Sequence, residues 1–158
     1  SELHPAMEAF AVKFADIIRR RRVLYGNDPF AAVSISRGDS IVRLKQTLLN
    51  LTLRLREAYV ARGLREEQLV AMIAEMAGPL RSCAATLLDL EGSPAESPKE
   101  ALHQVAATLP QGSARAEDVS RIAEARQNQA LVPGVAAPTL FHLIELARSM
   151  WTRAAALS

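Results

Sequence analysis

The sequence is poor in aromatic residues, in glycine and in cysteine. Aromatic side chains make up 4% of its 158 residues, and it holds seven glycines and one cysteine. Strands of sandwiches and barrels favour aromatic and β-branched residues, whereas alanine and leucine, which are abundant here, favour helices. The composition therefore predicts packed helices, and the lone Cys83 excludes a disulfide within the chain.

Long hydrophobic runs are also missing. No apolar run approaches the roughly 18 to 20 residues that a membrane-spanning helix needs. The first residues lack the basic start, apolar run and small-residue cleavage site of a secretory signal. With 49% apolar and 23% charged residues, the composition is that of a globular protein. We expect one domain over residues 1–158 of a reduced, cytoplasmic protein that does not enter membranes.

Charge is distributed unevenly along the chain. Residues 1–65 contain 12 Lys/Arg against 6 Asp/Glu, a net charge of +6, and residues 66–158 contain 7 against 11, a net charge of −4. The densest basic run is Arg19 to Arg22. Such a region can bind a nucleotide phosphate or nucleic acid, or it can be a solvated face that pairs with the acidic half.

The clearest helical signal begins near Ser40 and extends to Arg62. Apolar residues recur there at steps of three and four, which places them on one face of a helix, and polar residues occupy the opposite face. Gly63 is placed to end this helix, and Asp39 and Ser40 are its candidate N-caps. The apolar face consists of Ile41, Leu44, Leu48, Leu51 and Leu55 and closes on Tyr59, and the polar face consists of Arg43, Lys45, Gln46, Asn50, Arg54, Arg56 and Glu57.

Residues 1–39 form an irregular N-terminal segment before the bundle of residues 40–158. Within the segment, residues 9–18 fit a strand or a helix, with a slight preference for helix. Gly26 to Pro29 is predicted to be a turn, because glycine and asparagine accept positive φ and proline cannot continue a ladder.

Four further helices are expected in the bundle. The second covers about 66–90 and contains Gly78-Pro79, which predicts a kink. The third starts at the capping box Ser97-Pro98-Lys99-Glu100 and ends before Pro110. The fourth covers about 116–129, after a turn at Gly112-Ser113, and the last covers about 139–156. The prediction is an all-α, up-and-down antiparallel bundle of four to five helices.

Catalytic and metal-binding patterns are absent from the sequence. His4, His103 and His142 lack the spacing of zinc ligands, and His142 is interpreted as a partly buried or surface histidine. Cys83 falls on the apolar face of the second helix and is interpreted as a core residue. No glycine-rich phosphate loop is found. We therefore predict no metal, no cofactor and no catalytic residue in this chain.

Three segments between Phe10 and Tyr59 resemble a known family. They are Phe14-Ala-Asp-Ile17, Arg22-Val-Leu-Tyr-Gly-Asn-Asp-Pro-Phe30 and Leu53-Arg-Leu-Arg-Glu-Ala-Tyr59. They resemble the region that follows the catalytic domain in bacterial nucleotidyltransferase-like proteins. The helical part is similar to the substrate-binding bundle of aminoglycoside nucleotidyltransferases. Beyond these about 50 residues only the helical pattern agrees.

The catalytic motif of that family is missing. A nucleotidyltransferase domain needs Gly-Ser followed by paired acids that hold Mg²⁺. Neither Gly92-Ser93 nor Gly112-Ser113 is followed by such a pair, and Asp89-Leu-Glu91 has no Gly-Ser before it. The resemblance thus implies Mg²⁺ and a nucleotide only if a catalytic domain is attached.

The leading hypothesis is a non-catalytic helical domain that binds substrate or partner beside a nucleotidyltransferase catalytic domain, in the same or another chain. The alternative is a stand-alone interaction module that dimerises through the apolar face of the first helix or the loop of residues 131–138. A third hypothesis is a helical nucleic-acid binder that uses the arginine run. The binding residues expected under the leading hypothesis are Arg20, Arg22, Tyr25, Asp28 and Arg43.

Overall fold

The computed structural model describes residues 17–18, 21–28, 36–62, 65–110 and 112–157, excluding the side chains of residues 62 and 112–115. This part of the chain contains five α-helices and no β-strand. The predicted all-α class is therefore confirmed. The helices are α1 (Arg37–Arg62), α2 (Glu66–Leu90), α3 (Pro98–Ala107), α4 (Gly112–Asn128) and α5 (Ala136–Ala155).

Side-chain contacts at the helix ends fix the directions of the three long helices. Arg37, at the start of α1, donates from Nη1 to the carbonyl oxygen of Leu90, at the end of α2, over 2.7 Å. Arg153, at the end of α5, forms an ion pair with Glu91 over 2.5 Å. The end of α2 therefore lies beside the start of α1 and the end of α5, so α1 is antiparallel to both.

Helix α2 is the centre of the bundle, because it packs against each of the other four helices. Its first half has the single buried face that the sequence predicts, which includes Leu69 and Ile73. From Cys83 to Leu88, however, every residue is buried. A helix that is enclosed on all sides is apolar all round, and this segment has no charged side chain.

The predicted apolar face of α1 is confirmed from Ile41 to Leu55, whereas Tyr59, which was predicted to close it, is 42% exposed. Leu44, Leu48 and Leu55 are completely buried, and the helix packs mainly against α5 and next against α2. Burying an aliphatic side chain contributes about 1.5–3 kcal/mol. Since the bundle itself uses this face, dimerisation through it would require the helices to separate.

Helix α1 begins three residues before the predicted start. Its N-cap is Ser36, whose Oγ accepts a hydrogen bond from the backbone N–H of Asp39 over 3.0 Å. In return, the Ser36 hydroxyl donates to the Asp39 carboxylate over 2.6 Å. The capping pair is therefore Ser36 with Asp39, and the prediction of Asp39 or Ser40 as the cap is wrong.

Helices α4 and α5 also begin earlier than predicted. Gly112 and Ser113, predicted to be a turn, form the first residues of α4. Pro138 lies in the first turn of α5, where the missing N–H breaks no helical hydrogen bond. In both cases turn-forming residues occupy the first turn of a helix, where they do not disrupt helical hydrogen bonds.

Other predictions divide into confirmed and untested ones. Ser97 caps α3 by accepting from the backbone N–H of Glu100 over 3.1 Å, as predicted. Pro79 lies within α2, which continues past it. Gly63 and most of residues 9–18 fall outside the described residues. None of the helices in the described ranges is both long enough and apolar enough to cross a membrane.

Glu66, at the start of α2, holds the start of α5. One carboxylate oxygen accepts hydrogen bonds from the backbone N–H groups of Gly134 and Ala136, over 3.0 and 3.1 Å. We expect Glu66→Ala to lower the free energy of unfolding by about 1–2 kcal/mol, because it removes a charged cap. Urea unfolding measures this, with Glu67→Ala as the control. Equal effects of the two substitutions would contradict the capping role.

Candidate functional site

Residues 21–28 form a turn that is closed by an ion pair. The Nε and Nη2 atoms of Arg21 donate to one carboxylate oxygen of Asp28 over 3.0 and 2.6 Å. Gly26 has φ of +77°, as the predicted turn of residues 26–29 requires, and Pro29 lies outside the described residues. Between the paired ends, Leu24 is 87% and Tyr25 99% exposed. The pair therefore braces a turn that presents two apolar side chains to solvent.

The predicted binding residues that the structure describes lie on two elements, the turn and α1. Arg20 lies outside the described residues. Arg22 and Tyr25 are exposed on the turn, and Asp28 pairs with Arg21, which the sequence analysis had not selected. Arg43 lies on α1 and donates to the Gln46 side chain over 3.0 Å. No described hydrogen bond or ion pair joins Arg43 to the turn.

A second row of apolar side chains follows the solvent side of α1. Val42 is 56% exposed, Leu49 50%, Leu53 53% and Val60 85%. Most exposed positions of a helix in a monomeric protein are polar, and isolated exceptions need no explanation. Four exposed aliphatic residues on one helix form a larger feature. We call them, with the exposed Gln46 and Arg56 between them, the outer seam.

The outer seam has the spacing of a coiled coil. Its six positions follow one another at alternating steps of four and three residues over almost three heptads, which keeps them on one side of the helix. The side chains that flank such a seam select its partner through their charge. On one flank lie Arg43, Asn50 and Glu57, and on the other Lys45 and Tyr59, with the buried Thr52 between them.

The outer seam was overlooked in the sequence because polar residues interrupt it. Gln46 and Arg56 belong to the predicted polar face, and that prediction gives no role to the apolar Leu49 and Leu53 between them. A search for a second heptad register in the same helix would have found the seam. The apolar spacing of the inner face is uninterrupted, and it was therefore the one that the sequence analysis recognised.

A buried carboxylate links α4 to α5. Asp118, which is 2% exposed, accepts from Nη1 of Arg121 over 2.9 Å. Its other oxygen lies 2.6 Å from Nδ1 of His142 on α5. Arg121 also pairs with the exposed Glu117 over 2.7 Å. The Asp118 cluster, as we call these four residues, gives a buried charge the partners that it requires.

The Asp118 cluster has the geometry of a fixed contact between helices. A carboxylate that orients a histidine also occurs in nucleophilic catalysis, where the second ring nitrogen faces a hydroxyl or thiol. Asp118 is the only residue in the described part to which His142 has an assigned hydrogen bond. The prediction of a partly buried His142 is correct, but its link to Asp118, 24 residues away, was not foreseen.

In the part of the chain that the structure describes, neither Cys83 nor a group of metal-binding side chains provides a reactive site. Cys83 is completely buried, and this burial raises the pKa of its thiol to about 12, so the predicted core role is confirmed. Among the residues that the structure describes, no three histidine, cysteine or acidic side chains are grouped so that they could hold a metal ion.

Comparison with known proteins finds no matching family model, no matching curated protein and no matching solved structure.

We expect Asp118→Ala to lower the free energy of unfolding by about 1–3 kcal/mol, because it removes the buried acceptor of hydrogen bonds from Arg121 and His142. Glu117→Ala is the matched control. It removes an exposed partner of the same arginine and should cost less than about 1 kcal/mol. Urea unfolding of both variants measures the difference. A small effect of Asp118→Ala would show that the cluster is dispensable.

Proposed function

We propose that this chain is a helical assembly module that binds a second copy of itself through the outer seam of α1. The observation that supports the proposal is the heptad row of exposed aliphatic residues on a helix whose other face is already buried. An aliphatic seam on a stable scaffold provides an interface without unfolding the bundle. The proposal keeps the dimerisation hypothesis of the sequence analysis but moves it to the opposite face of the helix.

The order of residues in the outer seam favours an antiparallel pair. Read from either end, the seam has the same pattern: valine, a polar residue, leucine, leucine, a polar residue and valine. In an antiparallel dimer, Val42 therefore meets Val60 of the second copy, and Leu49 meets Leu53. Gln46 meets Arg56, so both polar positions face each other at the same level.

The charges beside the seam fit the same arrangement. In antiparallel coiled coils, equivalent flanks of the two helices lie side by side. Arg43 is then placed near Glu57 of the second copy, and Asn50 near its own equivalent. On the other flank, Lys45 approaches Tyr59. No like charges oppose each other along these two flanks, so the surface complements itself.

The exposed area indicates a weak dimer. The two copies together contribute eight half-exposed aliphatic side chains, and burying what remains exposed yields roughly 1 kcal/mol for each. Their sum, about 8 kcal/mol, exceeds the lowest estimates of the cost of association by only a few kcal/mol. We therefore expect a dissociation constant in the upper micromolar to millimolar range.

Val42→Glu and Val132→Glu test this surface as a matched pair. Both valines are more than half exposed, but Val42 lies in the outer seam and Val132 in the loop before α5. We expect sedimentation equilibrium between about 10 µM and about 1 mM to show dimerisation of the natural chain. Val42→Glu should weaken it at least about tenfold, because it buries two carboxylates against valine.

The Val132→Glu control should dimerise like the natural chain. If Val132→Glu abolished dimerisation and Val42→Glu did not, the loop of residues 131–138 would be the interface. A strictly monomeric natural chain would overturn the proposal.

A charge swap tests the antiparallel orientation of the two α1 helices. Arg43→Glu and Glu57→Arg should each weaken the dimer, because each places like charges opposite one another. The double variant should restore the dimer, because it reverses both charges of the pair between the two copies.

Association with a nucleotidyltransferase catalytic domain is a second proposal. It is supported by the sequence resemblance and by the braced turn of residues 21–28, whose exposed Leu24 and Tyr25 suit a docking surface. Under this proposal Mg²⁺ and a nucleotide belong to the attached domain. Binding of nucleic acid by the arginine run remains a prediction, and one of its four arginines, Arg21, is paired with Asp28.

The docking proposal predicts that the native protein is larger than 17.2 kDa or copurifies with a chain that carries Gly-Ser and paired acids. Intact mass spectrometry of the native material tests this. Tyr25→Ala should then weaken binding of that domain about tenfold or more, because an exposed aromatic anchor is lost. Phe141→Ala, which removes another exposed aromatic side chain, is the control. A native protein of 17.2 kDa without such a companion would exclude the proposal.

A further inference from the structure

Two polar residues interrupt the outer seam of α1. Gln46 and Arg56 occupy seam positions between the aliphatic residues, and both are exposed in the single chain. A polar residue at a seam position lowers the stability of a coiled coil, but it fixes the register and the association state of the helices. Leucine at both positions would give the seam more apolar area and a tighter dimer. Affinity alone therefore does not account for Gln46 and Arg56.

The single chain leaves these side chains only partly used. The side-chain oxygen of Gln46 accepts a hydrogen bond from Nη1 of Arg43, on the preceding turn of α1, over 3.0 Å. Within the described ranges, neither Arg56 nor its neighbour Glu57 has an assigned side-chain hydrogen bond or ion pair. The guanidinium group of Arg56 therefore has its donors available to a second chain, and the Gln46 oxygen can accept one of them.

We propose that Gln46 and Arg56 select the partner of the outer seam: they admit a second copy of this chain in the antiparallel orientation and exclude the parallel one. The inference rests on the dimer proposed above. In that dimer Arg56 of each copy donates to the side-chain oxygen of Gln46 of the other, and symmetry forms this contact twice. Arg43 then exchanges Gln46 for Glu57 of the second copy, so that each of these four side chains has a partner.

The parallel orientation places equal residues at the same level of the seam. Arg56 would face Arg56 of the second copy, and two guanidinium groups would lie among aliphatic side chains without an acceptor between them. The flanks oppose this orientation less, because parallel helices bring Lys45 beside the uncharged Asn50. Arg56 is therefore the residue that disfavours the parallel dimer most.

The same two residues disfavour other partners. A shift of the antiparallel pair by one heptad places Gln46 opposite Leu49, and an unrelated helix with an uninterrupted aliphatic seam leaves both polar groups without partners. Burying a guanidinium or amide group against aliphatic carbon is unfavourable. Specificity of this kind comes from the cost of the wrong partner as well as from the contacts of the right one.

Disulfide trapping measures the orientation of the two helices. Chains with Val42→Cys and chains with Val60→Cys, one of them isotopically labelled, are mixed and equilibrated in glutathione buffer. Antiparallel helices join unlike chains, and parallel helices join like chains. We expect mixed disulfides to outnumber disulfides between like chains by at least about tenfold. Cys83 does not interfere, because it is completely buried.

Gln46→Leu combined with Arg56→Leu removes the selection. Both positions are exposed, so the core of the bundle stays intact. The double variant should dimerise at least about tenfold more tightly and lose most of its preference for mixed disulfides, because leucine fills the seam in either orientation. Leu49→Ala is the control. It should weaken the dimer through the loss of apolar area and leave the preference for mixed disulfides unchanged.

An exchange of the two residues gives a second test. Gln46→Arg alone should weaken the dimer at least about tenfold, because it places two guanidinium groups at the same level of the antiparallel seam. The addition of Arg56→Gln should restore both the affinity and the preference for mixed disulfides, since the guanidinium and the amide face each other again.

An unchanged preference for mixed disulfides in the double leucine variant would overturn this inference and leave the antiparallel dimer in place. A failure of Arg56→Gln to rescue Gln46→Arg would overturn it as well. If the cysteines of the seam formed disulfides no faster than Val132→Cys, which is exposed outside the seam, the dimer itself would be excluded, and the inference with it.

Discussion

Enclosure of α2 by the other four helices is the constraint on which the bundle depends. From Cys83 to Leu88 this helix has no face in contact with water, so it is stable only when all its neighbours are in place. A central helix of this kind makes folding cooperative, because no subset of the helices buries the segment completely.

The enclosure of α2 accounts for only one of the two apolar faces of α1. Helix α1 lies at the outside of the bundle and needs only one face to cover α2 and α5. Its inner leucines meet that need, as the complete burial of Leu44, Leu48 and Leu55 shows. In the described part of the chain, the fold places no demand on Leu49 and Leu53, where charged residues would serve solubility better. Aliphatic residues that the fold does not require point to a surface that is used for binding.

Features that depend on near neighbours in the chain could be predicted from the sequence, and those that depend on distant neighbours could not. The inner face of α1 and the Ser97 cap follow from spacings of three and four residues, and both are confirmed. The starts of α4 and α5 were misplaced because a first turn accepts glycine, serine and proline without a periodic pattern. The contact between Asp118 and His142 joins two helices, and no local pattern marks either residue as the partner of the other.

The arginines show how far the fold accounts for the charges. Arg153 meets Glu91, and Arg121 meets two carboxylates, and each of these contacts has a structural consequence that the bundle needs. Arg81 differs because its Nε–H is buried without an acceptor in the described part of the protein. The outer seam of α1 likewise goes beyond what the described part of the fold needs. Its four aliphatic side chains are at least half exposed, whereas Leu44, Leu48 and Leu55 on the inner face of the same helix are completely buried.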